Sequence, residues 1–244
     1  MSDEEIRERA IAFAKANKKS ISKRLTSKEN YPPESEPVSI FMAGSPGAGK
    51  TEASVALIEA VGPTIRIDPD DLRSEFPDYT GGNAHLFQAA VSIVVDKMLD
   101  EVFANGQSFL LDGTLTNERR ACDNIERSLK RKRVVQILFV YQDPCQAWEF
   151  VCAREALEGR RIDLNTFITQ YFEARRVVNA LKVRYGADIK VDLLLKNNDG
   201  SNRAYQANVT NIDHFVPEAY DENRLRVAIS TMQVANGIFR SQEN

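Results

Sequence analysis

Apolar positions in this chain change period repeatedly. Val38 to Met42, Ser108 to Leu111, Val134 to Tyr141 and Val191 to Leu195 are short, mainly apolar stretches between polar ones, and Thr64 to Asp68 is a further short strand-like segment. Runs of this length, rich in β-branched and aromatic residues, are expected of strands buried on both faces. Between them the apolar residues recur at helical spacing. The expected helices run from Lys50 to Gly62-Pro63, Asp71 to Glu75, Ala84 to Phe103 with Asn105-Gly106 as stop, Asn117 to Lys130, Pro144 to Gly159 and Leu164 to Tyr185. Strand–helix alternation at this spacing predicts an α/β domain with a mostly parallel sheet, right-handed crossovers and helices on both faces. Ahead of it, Ile6, Ile11, Ala14 and Ile21 recur at helical spacing until Tyr31-Pro32-Pro33-Glu34-Ser35 breaks the pattern. Residues 1–35 therefore read as a helical appendage and linker, 36–200 as the core, and 201–244 as a C-terminal helical extension with a helix around Asp221 to Val234.

Composition narrows the function classes. Apolar residues make up 43% and charged residues 27%, globular proportions far from those of disordered chains. The net charge of −3 supplies no global attraction for nucleic acid or for an anionic membrane, so a nucleic-acid partner is not expected. No apolar stretch is long enough to span a bilayer and no leader-like segment opens the chain, so a cytoplasmic location is expected. Cys122, Cys145 and Cys152 form neither a CxxC pair nor a Cys/His cluster and are expected to be reduced thiols.

The chemistry is concentrated at strand ends. Gly44-Ser45-Pro46-Gly47-Ala48-Gly49-Lys50-Thr51 satisfies GxxxxGK[ST] between a strand and a helix, the context that gives this motif its meaning. Glycines let the backbone approach a phosphate, and successive amides with the helix N-terminus bind the anion. Lys50 is then expected on the β and γ phosphates of ATP or GTP, and the Thr51 hydroxyl on Mg²⁺. Together with the parallel sheet this predicts a three-layer α/β/α P-loop NTPase fold.

The next strand ends in Ile67-Asp68-Pro69-Asp70-Asp71 and the one after it in Asp112-Gly113-Thr114. Carboxylates at the C-terminal edge of such a sheet lie where ligands bind, and one of them can orient and deprotonate an acceptor hydroxyl. Helix capping is the competing role for each. Asp112 fits either a water-bridged Mg²⁺ or substrate hydroxyls. Further on, Arg154, Arg160 and Arg161 flank Glu158-Gly159 at a helix–loop–helix junction, like a lid whose guanidinium groups neutralise charge on a transferred phosphoryl group. The run Lys130-Arg131-Lys132-Arg133 closes a helix, where cations complement the macrodipole, and reads as structural. His85 and His214 show no partner pattern.

From about Val38 to Val178 this ordered set resembles the zeta toxins, kinases that are themselves similar to UDP-N-acetylglucosamine kinases. The resemblance implies Asp70 as general base, Arg154 with Arg160 or Arg161 as lid cations, and Asp112 and Thr114 at the substrate, beside Asp68. It also implies a nucleotide-sugar acceptor and an antitoxin partner. Two positions depart from the family pattern: Asp112 stands where Glu is usual, and Thr116 where an Arg is frequent.

The expectation is an ATP- or GTP- and Mg²⁺-dependent kinase acting on a small-molecule hydroxyl. A small-molecule, antibiotic or nucleic-acid end kinase, and a nucleotide-binding partner protein without transfer activity, are the alternatives, because fold alone does not fix the acceptor. Residues 1–35 are expected either to restrain the site or to stabilise the core from behind.

Overall fold

A computed structural model describes residues 1–159, 162–197, 199, 201–216 and 220–235. Its centre is a six-stranded sheet in the order β2-β3-β1-β4-β5-β6. The strands are β1 (Val38–Ala43), β2 (Ile65–Ile67), β3 (Phe109–Leu111), β4 (Val134–Tyr141), β5 (Ile189–Lys196) and β6 (Asn202–Gln206). All pairings are parallel except that of β5 with β6, which is antiparallel. The predicted P-loop α/β architecture is therefore the observed one. β6 is a correction to the helical extension expected over residues 201–244, which opens with a strand. Asn202-Arg203-Ala204-Tyr205-Gln206 carries no apolar run because it lies exposed along the sheet edge, where one face needs no core.

The helices follow from the spacing read above: α1 (Asp3–Leu25), α2 (Lys50–Val61), α3 (Gln88–Asn105), α4 (Glu118–Leu129), α5 (Pro144–Glu158), α6 (Leu164–Tyr185) and α7 (Glu222–Ala235). Their starts are chemically marked. Asp143 and Asp163 accept from the first free amides of α5 and α6, and Asn117 does so for α4. Phe41, Phe109, Ile137, Phe139, Val191 and Leu193 turn to the face that packs with α3, α4 and α6. Ile40, Met42, Leu110, Leu138, Val140 and Leu194 turn to the other, with Ala53, Leu57 and Ile58 of α2 over them. This two-face burial is why β1 and β4 read as mainly apolar runs, broken only by Ser39 and Gln136, rather than as alternating ones.

Residues ahead of β1 are tied to the domain at several points. α1 buries Ala10, Ala14 and Ile21 in the main core and sets Phe13 against Phe76, ring centroids 5.5 Å apart. The Pro32-Pro33 linker is held as well: Gln107 donates to the carbonyls of Thr26 and Tyr31, and Glu34 accepts from the amide and hydroxyl of Ser108. Among the described residues no helix is long and apolar enough to cross a membrane.

Candidate active site

The site begins where β1 ends. Gly44, Gly47 and Gly49 have φ of 134°, 72° and 82°, in the region that L side chains avoid. A Cβ on Gly44 would lie 2.3 Å from the Val140 carbonyl oxygen, and one on Gly47 2.1 Å from that of Ala147. Only glycine lets this loop fold tightly against β4 and α5, which leaves a cradle of backbone amides at the N-terminus of α2. Ser45, Pro46 and Ala48 are buried within the loop, and the Ala48 amide donates back to the Ser45 carbonyl at 3.3 Å. Lys50 folds over it, its Nζ donating to the carbonyls of Gly44 at 3.1 Å and Ser45 at 2.7 Å. Burial lowers the Lys50 pKa to about 8, against the pull of Asp112 and Asp70. An ammonium held in such a place is stabilised by an incoming anion.

The acids arrive by register. β2 and β3 pair Ile67 with Leu111, so Asp68 and Asp112 leave adjacent strands side by side, and the Asp112 amide donates to the Ile67 carbonyl at 2.9 Å. Their proximity is visible in Asp68, whose carboxyl is pushed up to about 6 by burial and then by the charge of Asp112, with Arg66 pulling the other way. Asp68 Oδ1 accepts from the Asp70 amide at 2.7 Å, an Asx-type turn that sets Asp70 at the head of the short 3₁₀ turn Asp71–Glu75. Asp70 pairs with Arg73. The two acids differ in setting: Asp68 holds the turn, while the side chain of Asp70 is the more exposed, 41% accessible.

β3 leads into the second wall. The Thr114 carbonyl accepts from the Gly44 amide at 3.3 Å, joining this segment to the glycine loop, and the Thr114 and Thr116 hydroxyls lie 3.2 Å apart. Beyond Thr116 opens a cavity of about 640 Å³ lined by Asn117 and Glu118 of α4 and by Asn165, Thr166, Thr169, Gln170 and Glu173 of α6. It is an open groove rather than an enclosed chamber, lined by hydroxyl, amide and carboxylate groups.

Asp112, Asp70, Arg154 and Asp68 all act electrostatically on Lys50 at this edge. Arg154 is exposed on α5. Arg160 and Arg161 lie outside the described residues. Thr51 sits at the exposed start of α2, one turn before Ser54, whose hydroxyl reaches the Thr51 carbonyl at 2.8 Å and lies 3.3 Å from Asp112 Oδ2. Joined through the Ser54 hydroxyl, the Thr51 segment and Asp112 put oxygen ligands beside the glycine loop, the donor type that suits Mg²⁺, which takes few protein ligands and keeps phosphate and water for the rest. Arg66 escaped sequence reading altogether. It sits mid-strand in β2, where alternation marks only a polar position, yet it pairs with Asp68, Asp71 and Asp112.

Comparison with known proteins agrees with this geometry. The zeta toxin family model matches residues 22–210. No curated protein sequence matches the chain. Among solved structures, one from the PezAT chromosomal toxin–antitoxin system of Streptococcus pneumoniae superposes with a TM-score of 0.66 at 15% identity, covering 93% of this chain and 96% of its own. The AvrRxo1-ORF1:ORF2 complex with ATP has a TM-score of 0.58 at 14% identity, covering 89% of this chain and 74% of that one. Identities this low speak to the fold, while the family match extends over most of the chain. The chain belongs to the zeta toxin family.

Proposed function

We propose that this protein transfers the γ-phosphoryl group of ATP or GTP, with Mg²⁺, to a hydroxyl of a small molecule, and that a UDP-N-acetyl amino sugar is the acceptor to test first. The observation that carries the reading is the meeting, at one sheet edge, of the Lys50-capped glycine cradle, the Asp68–Asp70 turn and the Thr114–Thr116 wall that opens into a ligand-sized cavity. Phosphoryl transfer requires little covalent chemistry from a protein. It requires alignment and neutralisation of charge.

In this reading the amides of Gly47, Gly49, Lys50 and Thr51 hold the phosphates within the loop from Gly44 to Thr51, and Lys50 bridges toward the β and γ groups. Thr51, with Asp112 behind it, would hold Mg²⁺, which when bound neutralises charge on the phosphate oxygens. Asp70 takes the proton from the acceptor hydroxyl as the oxygen attacks: its side chain, paired with Arg73, is less buried than that of Asp68, which is spent on the turn and on Arg66. Arg154, with Arg160 and Arg161, stabilises the charge of the transferred group. Asp68, Asp112 and Thr114 order the acceptor side. The cavity beyond Thr116 takes the part of the acceptor remote from the reacting hydroxyl. A protein antitoxin is the proposed partner, in line with the PezAT toxin–antitoxin system among the structural neighbours.

Nucleotide affinity and turnover of wild type, Lys50→Ala and Asp70→Asn, measured with Mg-ATP and UDP-N-acetylglucosamine, test this reading. Lys50→Ala is expected to lose at least about a hundredfold in turnover, as loss of one preorganised electrostatic contact costs roughly 3 kcal/mol. Asp70→Asn is expected to keep ATP affinity and lose turnover, since the amide still hydrogen-bonds the hydroxyl but takes no proton. A silent Asp70→Asn beside a crippled Asp68→Asn would move the base to Asp68. A wild type that binds ATP and turns over neither this acceptor nor water would point to a nucleotide-binding partner protein.

A further inference from the structure

We propose that Arg66 is a positioning residue of the transfer site: it clamps three carboxylates and the start of α2 into one unit, and so sets the place of Asp70. The inference rests on the proposed role of Asp70 as base.

Arg66 lies between buried Ile65 and Ile67, and its own side chain is only 19% exposed. Each part of its guanidinium is engaged. Nε donates to Ser54 Oγ at 3.1 Å, Nη1 to Asp71 Oδ2 at 2.6 Å, and Nη2 to Asp112 Oδ2 at 2.8 Å and to Asp68 Oδ2. These partners come from α2, the 3₁₀ turn, β3 and the end of β2. A planar fork with five N–H donors meets such a set in a way the single point charge of lysine does not.

Two chains of contact leave this clamp. Through Asp68 it reaches Asp70: Arg66 fixes Oδ2, which leaves Oδ1 directed at the Asp70 amide 2.7 Å away. Through Ser54 it reaches the metal side of the cradle, because that hydroxyl accepts from Arg66 Nε and shares its one hydrogen between the Thr51 carbonyl and Asp112. Without Arg66, Asp68 and Asp112 face each other with no cation between them, and their repulsion is relieved by rotation of one carboxylate. If Asp68 rotates, the turn carrying Asp70 loses its acceptor. A base displaced by even 1 Å loses alignment with the attacking hydroxyl while the P-loop, built from backbone, still binds nucleotide.

The test compares full-length wild type, Arg66→Ala, Arg66→Lys and Asp70→Asn for Mg-ATP turnover with UDP-N-acetylglucosamine and with water alone as acceptor, for ATP affinity, and for thermal midpoint. The expected result for Arg66→Ala is a fall in kcat of about tenfold to a hundredfold with ATP affinity within about threefold, the signature of lost alignment rather than lost binding. Arg66→Lys is expected between the two. Millimolar guanidinium chloride should restore part of the Arg66→Ala rate and none of the Asp70→Asn rate. A purely architectural Arg66 would lower the midpoint and leave kcat per folded molecule unchanged in Arg66→Lys, and that outcome overturns the proposal, as does guanidinium acting equally on wild type and variant. An inactive Asp70→Asn beside a fully active Arg66→Ala would remove this inference alone, whereas a fully active Asp70→Asn would remove the functional reading on which it rests.

Discussion

Asp68 bears the electrostatic cost of a crowded site. Its folded pKa, about 6, lies above its ordinary value of 3.8 because burial and the neighbouring Asp112 disfavour the charge. Between these two values the folded state binds more protons than the unfolded chain, so stability is fully present below about pH 4 and is lost as pH rises through about 6. Asp68→Asn carries no charge to bury, so its thermal midpoint should gain on that of the wild type across this window and hold the gain above it. Midpoints measured from pH 4 to 7 check this, and a difference that does not change with pH would contradict it. Asp68, Asp70 and Asp112 were legible in the sequence because an acid following an apolar run falls at a strand end. Arg66 was not, because what turns an alternating polar residue into a clamp is the arrival of Ser54, Asp71 and Asp112 from other elements.

At the scale of elements, α1 shows how an amphipathic pattern announces a helix without naming its partner. Its apolar positions meet α3 and the segment that follows Asp70: Phe13 stacks on Phe76, Arg9 pairs with Asp78 and Arg24 with Glu75. These contacts belong to a helix that supports the core. Ile21→Ala is expected to cost about 2–4 kcal/mol, as for other buried aliphatic truncations. Deletion of residues 1–35 should lower the thermal midpoint by more than about 10 °C, since several such contacts go together. Turnover per folded molecule should stay unchanged in Ile21→Ala. A truncated protein of intact stability and higher turnover would instead identify residues 1–35 as a restraint on the site. β6 is the element that composition hid, its residues being polar at the sheet edge.

For the whole molecule, the basic run after α4 divides in two. Lys130, Arg131 and Lys132 are exposed, as expected of cations at a helix end. Arg133 is buried, 5% accessible, at the start of β4, the end of the sheet opposite the glycine loop. Its guanidinium donates to Ser39 Oγ at 2.7 Å and to the carbonyls of Val38 and Gln107, and lies over the rings of Phe103 and Phe109. Burial lowers its pKa to about 10, which still leaves it charged at neutral pH. Removing one side of such a network leaves buried acceptors without donors. Arg133→Met should therefore cost about 2–4 kcal/mol in denaturant unfolding with turnover per folded molecule unchanged. Lys130→Ala should stay within about 0.5 kcal/mol of wild type. Equal effects of the two would show that the run acts through charge alone.

The sequence by itself determined the alternation of strands and helices, the phosphate loop and the acids at strand ends. These are local matters: a strand buried on both faces needs an apolar run, and a loop crowded by the Val140 and Ala147 carbonyls needs glycine. Tertiary structure decided which charges meet. The pairing of Ile67 with Leu111 set Asp68 beside Asp112, Arg66 joined them to α2, and Thr116 became the lip of an open groove lined by α6. Partners brought together from Ser54 to Asp112, or from Asn117 to Glu173, leave no periodic trace in the chain, because electrostatic and hydrogen-bonded contacts depend on distance in space and not on separation in sequence.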